Sequence, residues 1–133
     1  MKEIQYSIVF IFVLFFLMGC SRSGNKDFVV STTPIDGSTA DSTSNITVRF
    51  GHDMNPSTLN KQNIKIEEAK YSRDISDLFT YSYDQDLREL HIDFKLEGNG
   101  VGTGNSVAVT LSKAIKTTDN RSMVDDFVFS YFT

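Results

Sequence analysis

The chain has 133 residues, one cysteine and a formal net charge of −4 from 13 basic and 17 acidic side chains. This length favours a single domain. A protein that binds nucleic acid is expected to carry a clustered basic face, but the arginines after residue 27 stand singly among carboxylates. They are Arg49, Arg73, Arg88 and Arg121. We therefore expect no nucleic-acid partner.

An apolar segment near the N-terminus predicts a secretory signal peptide. Residues 8–18 are eleven apolar residues without a polar interruption, preceded by Lys2 and followed by the small residue Gly19. This layout is typical of a cleaved signal sequence. Because a transmembrane helix needs roughly 20 apolar residues, we do not expect the segment to span a bilayer.

The end of this segment, Leu17-Met18-Gly19-Cys20, resembles the lipobox of bacterial lipoproteins. The resemblance implies cleavage between Gly19 and Cys20 and acyl chains, such as palmitate, on Cys20. We expect this covalent lipid and no cofactor. Each buried methylene contributes about 0.8 kcal/mol, so two or more chains hold a protein on a membrane. A buried helix with an ordinary cysteine is the alternative.

These features divide the chain into three parts: a signal peptide at 1–19, a lipidated cysteine and tether at 20–27, and a folded body at 28–133. Residues 21–27 are polar throughout and indicate a flexible tether that reaches about 23 Å when fully extended. We therefore expect the body to lie close to a membrane of the bacterial envelope. Ser21 stands where some enteric lipoproteins carry an Asp that resembles an inner-membrane retention signal, which favours the outer membrane or cell surface.

In the body, apolar and polar residues alternate in seven short stretches, a pattern typical of half-buried antiparallel strands. The stretches are residues 28–32, 45–50, 63–67, 79–83, 90–94, 107–111 and 127–131. Between them, Asn55 and Pro56 predict one helical turn, residues 84–86 and 118–122 predict turns, and residues 97–105 predict a glycine-rich loop. Seven short strands favour an all-β, immunoglobulin-like Greek-key β-sandwich.

Four stretches of the body resemble a bacterial Ig-like domain of the type first associated with surface-layer proteins. They are residues 33–38, 48–64, 109–112 and 127–133. The resemblance covers residues 28–133 and implies a sandwich fold with a modular, non-catalytic role. Asn120 and Arg121 stand where the family usually has a Gly-Asn pair, and Asn120 tolerates a left-handed backbone better than most residues.

Catalytic and zinc chemistry are not indicated. Nucleophilic catalysis needs a nucleophile beside a base that a third group orients, and the two histidines lie in different predicted elements. We expect His91 on the outer face of its strand, and His52 in a loop where it could meet Asp53. A zinc site needs three or four suitably spaced ligands, which the chain does not supply once Cys20 carries lipid. We expect neither an enzyme nor a zinc site.

Calcium needs only oxygen ligands, and several carboxylates lie in or beside predicted turns. They are Asp84, Asp86, Asp119, Asp125 and Asp126. Their order does not match the EF-hand loop. We expect solvated turn carboxylates and predict no metal ligand, although the residues leave calcium binding open.

Two functions remain. The first is a membrane-anchored, extracytoplasmic module with a structural, adhesive or assembly role and an envelope protein as partner. The alternative is a ligand-binding lipoprotein that recognises a glycan or a host polypeptide through loop aromatics such as Tyr71. We expect instead that Tyr71 covers a neighbouring strand. An unprotected edge strand would favour assembly, because it invites a partner strand.

Overall fold

The computed structural model describes residues 28–95 and 100–133. The predicted signal peptide, the lipidation at Cys20 and the tether lie outside these residues, and so does part of the predicted glycine-rich loop. Those assignments therefore stay predictions. Among the described residues, no helix is long and apolar enough to cross a membrane.

Eight β-strands form two four-stranded antiparallel sheets in the described residues. The strands are β1 (Val29–Thr33), β2 (Ile46–Phe50), β3 (Ile64–Glu68), β4 (Arg73–Asp74), β5 (Phe79–Asp84), β6 (Glu89–Phe94), β7 (Ser106–Leu111) and β8 (Phe127–Phe132). Sheet I has the order β1-β2-β6-β5, and sheet II has the order β4-β3-β7-β8. The predicted β-sandwich is confirmed, and each of the seven predicted stretches corresponds to a strand.

The eighth strand, β4, was missed because two residues are too few to show an alternating pattern. It forms where the chain turns back on β3, so that Asp74 lies opposite Glu67 and Arg73 lies opposite Glu68. The predicted helical turn is present as a 3-10 helix, Pro56–Thr58, and the Asn55 side chain caps it by accepting a hydrogen bond from the Ser57 amide at 3.1 Å. A second 3-10 helix, Ser76–Leu78, precedes β5.

The core lies between the two sheets and follows from the alternation within each strand. In β2, Ile46, Val48 and Phe50 are almost fully buried, whereas Arg49 is exposed. The inward residues of β6 and β7 complete the two inner faces, as in other aligned sandwiches. Within the described residues, the buried cluster extends from Val29 to Tyr131.

Two turn positions depend on unusual backbone geometry. Asn120 has a φ of 66°, which confirms the left-handed backbone that its residue type permits. Gly100 has a φ of 69°, and an added Cβ would lie 2.9 Å from the Ser42 hydroxyl oxygen. A side chain at position 100 would therefore push apart two loops that the hydrogen bond from Val101 N to Ser42 O joins at 3.1 Å.

The connections cluster at two ends of the sandwich. The N-terminal end consists of Phe28 and the loops 51–63, 85–88 and 112–126, which hydrogen bonds such as Gly51 N to Phe28 O (3.0 Å) and Thr118 N to Asp53 O (2.9 Å) join together. The C-terminal end consists of the described parts of the segments 34–45, 69–78 and 95–105 together with Thr133, and the second of these segments includes β4 and the second 3-10 helix. The chain thus enters the folded body at one end and leaves it at the other.

Candidate functional site

The N-terminal end carries two exposed ion pairs. Arg88 Nε lies 2.8 Å from Asp53 Oδ1, and Arg121 Nε lies 2.9 Å from Asp119 Oδ2. All four side chains are about half exposed, so water and salt screen the pairs. They line a polar cavity of about 270 Å³ together with Gly51, His52 and Thr118.

A second cleft, of about 710 Å³, opens beside this cavity. The two share Gly51, Asp53 and Arg88, and the second extends to Val30 and Leu87. Both are open to solvent and mostly polar, and each charged group that separates them already has a partner within the protein. The loops of this end also expose the apolar side chains of Leu87 and Val124 beside the ion pairs.

His52 does not meet Asp53 as the sequence allowed, because Asp53 pairs with Arg88. The His52 ring packs against Phe28, with ring centroids 5.2 Å apart, and its Nδ1 lies 3.4 Å from Arg121 Nη2. Neither of these two neighbours, Phe28 and Arg121, is a nucleophile that His52 could activate.

His91 lies on the outer face of β6, as predicted, between the fully buried residues Leu90 and Ile92. Its Nε2 is 3.6 Å from Glu89 Oε2. The structure thus places one histidine in a strand and the other in an end loop. It does not bring them together into one site.

The turn carboxylates of Asp84, Asp119 and Asp126 support local structure. Asp84 Oδ1 accepts hydrogen bonds from the amides of Asp86 and Leu87, both at 3.0 Å, and Asp126 Oδ1 accepts one from Lys113 N at 2.8 Å. A hydrogen bond from the Thr117 hydroxyl, followed by Arg121, holds the pKa of Asp119 below its ordinary value. Within residues 28–95 and 100–133, no three His, Cys, Asp or Glu side chains are grouped closely enough to hold a metal ion.

The prediction that Tyr71 covers a neighbouring strand is wrong. The residue is 68% exposed, and its ring has Lys70 Nζ at 5.5 Å from the centroid. Among the described aromatic residues, only Phe132 is similarly exposed, at 50%, and it lies on β8. A lone aromatic in a loop without alternation gives no indication of which way it faces, so sequence reasoning could not decide this point.

A buried polar network at the C-terminal end was not anticipated. Glu68 is 1% exposed, and its Oε2 accepts a hydrogen bond from Asn105 Nδ2 at 3.1 Å. Its Oε1 has no partner with hydrogen-bond geometry, but Arg73 Nη2 lies 3.0 Å away and compensates the charge. The alternation that places Ile64 and Ile66 inside also places Glu68 inside, so the sequence did carry the signal for this carboxylate.

Asn105 connects this network to the surrounding backbone. Its Oδ1 accepts hydrogen bonds from Lys70 N at 3.0 Å and Ser106 N at 2.9 Å, and its own amide donates to Thr133 O at 3.3 Å. The Asn105 side chain thus joins the loop after β3 to the loop before β7, and its backbone amide adds a bond to the last residue of the chain. The network has a structural role.

The four edge strands of the two sheets differ in how they are protected. β1 contains a bulge between Val29 and Ser31 and is followed by Pro34, and β4 has only two residues. Part of β8 is covered by the chain at 37–40, which bonds to Ser130 and Phe132. β5 has six residues without a proline, a lysine or a bulge. Within the described part of the chain, no bulge, proline or lysine protects this edge.

Two antiparallel sheets that enclose one apolar core, with the chain crossing between them, define an immunoglobulin-like β-sandwich. The family model of the bacterial Ig-like domain matches residues 25–133, and the chain belongs to this family. This match confirms the resemblance seen in the sequence. Domains of this family occur in extracellular and cell-surface bacterial proteins and are generally non-enzymatic. Searches of curated proteins and of solved structures returned no significant match.

Proposed function

We propose that the protein is a lipid-anchored structural or assembly module of the bacterial envelope. Its family indicates an extracellular module of structural or adhesive type. The observation that carries the anchor is the position of Cys20 directly after an apolar segment and the small residue Gly19. Because domains of this family are generally non-enzymatic, we propose that the module acts through its surface.

The place where the chain enters the fold supports this proposal. Phe28 begins the body at the N-terminal end, and the seven residues between it and Cys20 reach about 23 Å at most. A lipid on Cys20 would therefore hold the N-terminal end near the headgroups. This end combines exposed ion pairs with the exposed apolar side chains of Leu87 and Val124, which suits contact with the headgroup region of a membrane.

Metabolic labelling with an alkyne-tagged fatty acid tests the anchor in a bacterial host that processes lipoproteins. The wild type and a matched Ser21→Ala variant should both incorporate the label and remain with the membranes. Cys20→Ala should lose both properties. Equal labelling of all three proteins would exclude an anchor on Cys20.

The exposure of Tyr71 favours a second candidate function, the recognition of a glycan or a host polypeptide. An exposed aromatic ring beside a lysine can stack on a sugar or contact a peptide. The test is to probe a glycan and matrix-protein array with residues 21–133 and with the Tyr71→Ala variant. Binding that the variant loses would support this function, and an array without hits would exclude it.

A further inference from the structure

The outer edge of β5 presents backbone groups without partners. Lys95 N donates to Leu78 O at 2.8 Å, so these two opposite residues form a hydrogen-bonded pair. In an antiparallel ladder every second residue pair is hydrogen-bonded, so the backbone N–H and C=O groups of Thr80 and Ser82 also point towards β6. The N–H and C=O groups of Tyr81 and Tyr83 therefore point away from the sheet. No hydrogen bond joins these groups to another residue of the described ranges.

The side chains of β5 leave this edge accessible. The Tyr81 hydroxyl donates to Ser76 O at 2.9 Å, and the Tyr83 hydroxyl accepts from Met54 N at 3.1 Å. These bonds fix both rings within the protein, where they pack against the core. The exposed positions of β5 are the small hydroxyl residues Thr80 and Ser82, which do not obstruct an approaching strand.

We propose that β5 pairs antiparallel with β5 of a second copy of this chain, about a two-fold axis at Tyr81. In this register Tyr81 lies opposite its own copy, Phe79 lies opposite Tyr83, and Thr80 lies opposite Ser82. The Phe79 amide already donates to Ser76 O, so the pairing gains about four backbone hydrogen bonds. Sheet I then continues from one copy into the other.

Charge and symmetry favour a second copy of this chain as the partner that pairs with the β5 edge. At the ends of the paired segment, Asp84 lies opposite Leu78 and Asp77 lies opposite Gln85, so no like charges face each other. Asp77 also forms an ion pair with Lys61 of its own copy. A two-fold contact uses the same surface on both copies and closes on itself, which leaves neither β5 edge open.

The proposed β5–β5 interface is small, so dimer formation needs an assay that detects weak association. One strand pair buries much less than the roughly 1,600 Å² of a standard protein interface, so the dimer is weak and depends on concentration. Covalent trapping is therefore the appropriate assay. The pairing does not depend on the lipid anchor, and residues 21–133 contain every described residue of the buried cluster but no cysteine.

Cysteine trapping tests the register directly. Residues opposite each other at a position without mutual hydrogen bonds have Cα atoms about 4.5 Å apart, which a disulfide can bridge. Mild oxidation of an equimolar mixture of Thr80→Cys and Ser82→Cys should give mostly the mixed dimer. Either variant alone should cross-link much more slowly. Equal cross-linking in all three samples, or none, would overturn the proposed pairing.

A pair of charge variants provides the second test, by sedimentation equilibrium. Thr80→Lys/Ser82→Lys places like charges opposite each other in both halves of the interface, whereas Thr80→Lys/Ser82→Glu places opposite charges there. The like-charged variant should dimerise roughly tenfold more weakly than the opposite-charged one. Both variants alter exposed side chains only. Identical association of the two would contradict the register.

Discussion

The two ends of the sandwich use similar charged residues in opposite ways. At the C-terminal end, Glu68 is buried, and Asn105 and Arg73 compensate it. At the N-terminal end, Arg88 and Arg121 pair with carboxylates that remain about half exposed. A buried charge that loses its partner is strongly destabilising, whereas an exposed pair contributes little. Burial, and not the number of ion pairs, therefore decides at which end the loss of one partner lowers stability most.

The largest effect is expected from Asn105→Ala. The substitution removes the acceptor of the Lys70 and Ser106 amides and the donor to Glu68, so it should lower the free energy of unfolding by about 3 kcal/mol. Urea denaturation of residues 21–133 measures this. The control is Asn60→Ala in an exposed loop of the N-terminal end, which should cost less than about 1 kcal/mol. Equal losses would mean that the two ends do not differ.

A smaller loss, of about 2 kcal/mol, is expected for Arg73→Ala, because it leaves the buried Glu68 carboxylate without its cation. The double variant Arg73→Ala/Glu68→Gln removes the charge as well and should recover part of the loss. Urea denaturation of the single and double variants measures the coupling. If the double variant were less stable than Arg73→Ala, the charge of Glu68 would not be the cause.

Acid should affect the N-terminal end through Asp119. The lowered pKa of this carboxyl means that its contribution to stability is present above the pKa of the unfolded state, about 4, and is lost as pH falls through the folded value. NMR titration of the Asp119 carboxyl should show the low pKa. Thr117→Val, which removes the first cause of the shift, should return the pKa towards its ordinary value, and an unchanged pKa would contradict this assignment.

The smallest effect is expected for Arg88→Ala. Because its ion pair with Asp53 is exposed, the loss should stay below about 1 kcal/mol and shrink further in high salt. Thermal unfolding at two salt concentrations measures this. If the free energy of unfolding fell as much as it does for Arg73→Ala, the exposed ion pairs of the N-terminal end would matter as much as the buried charge, which contradicts the comparison.

The sequence predicted the parts of the fold that repeat a pattern. The alternation in β2, β6 and β7 identified both the strands and their inward faces, because one buried side imposes a period of two. The sequence did not predict β4, because a strand of two residues shows no alternation and forms only where the turn after β3 brings it beside that strand. Asn105 was hidden for another reason: a polar residue in a glycine-rich loop usually indicates exposure, and only the tertiary fold shows that it is buried.

The candidate surfaces were less predictable than the strands. Whether β5 is an edge depends on the order of strands in the sheet, which no local pattern encodes. The partner of Asp53 also depends on tertiary contacts, because Arg88 reaches it from another loop. The proposed lipid anchor depends, by contrast, entirely on the local sequence around Cys20.

The mass of the protein extracted from bacterial membranes tests the central claim most directly. The account predicts a chain that begins at Cys20, with the added mass of a diacylglyceryl group on the thiol and of an acyl group on the new N-terminus. A chain that retains residues 1–19, or that carries an unmodified Cys20, would contradict it.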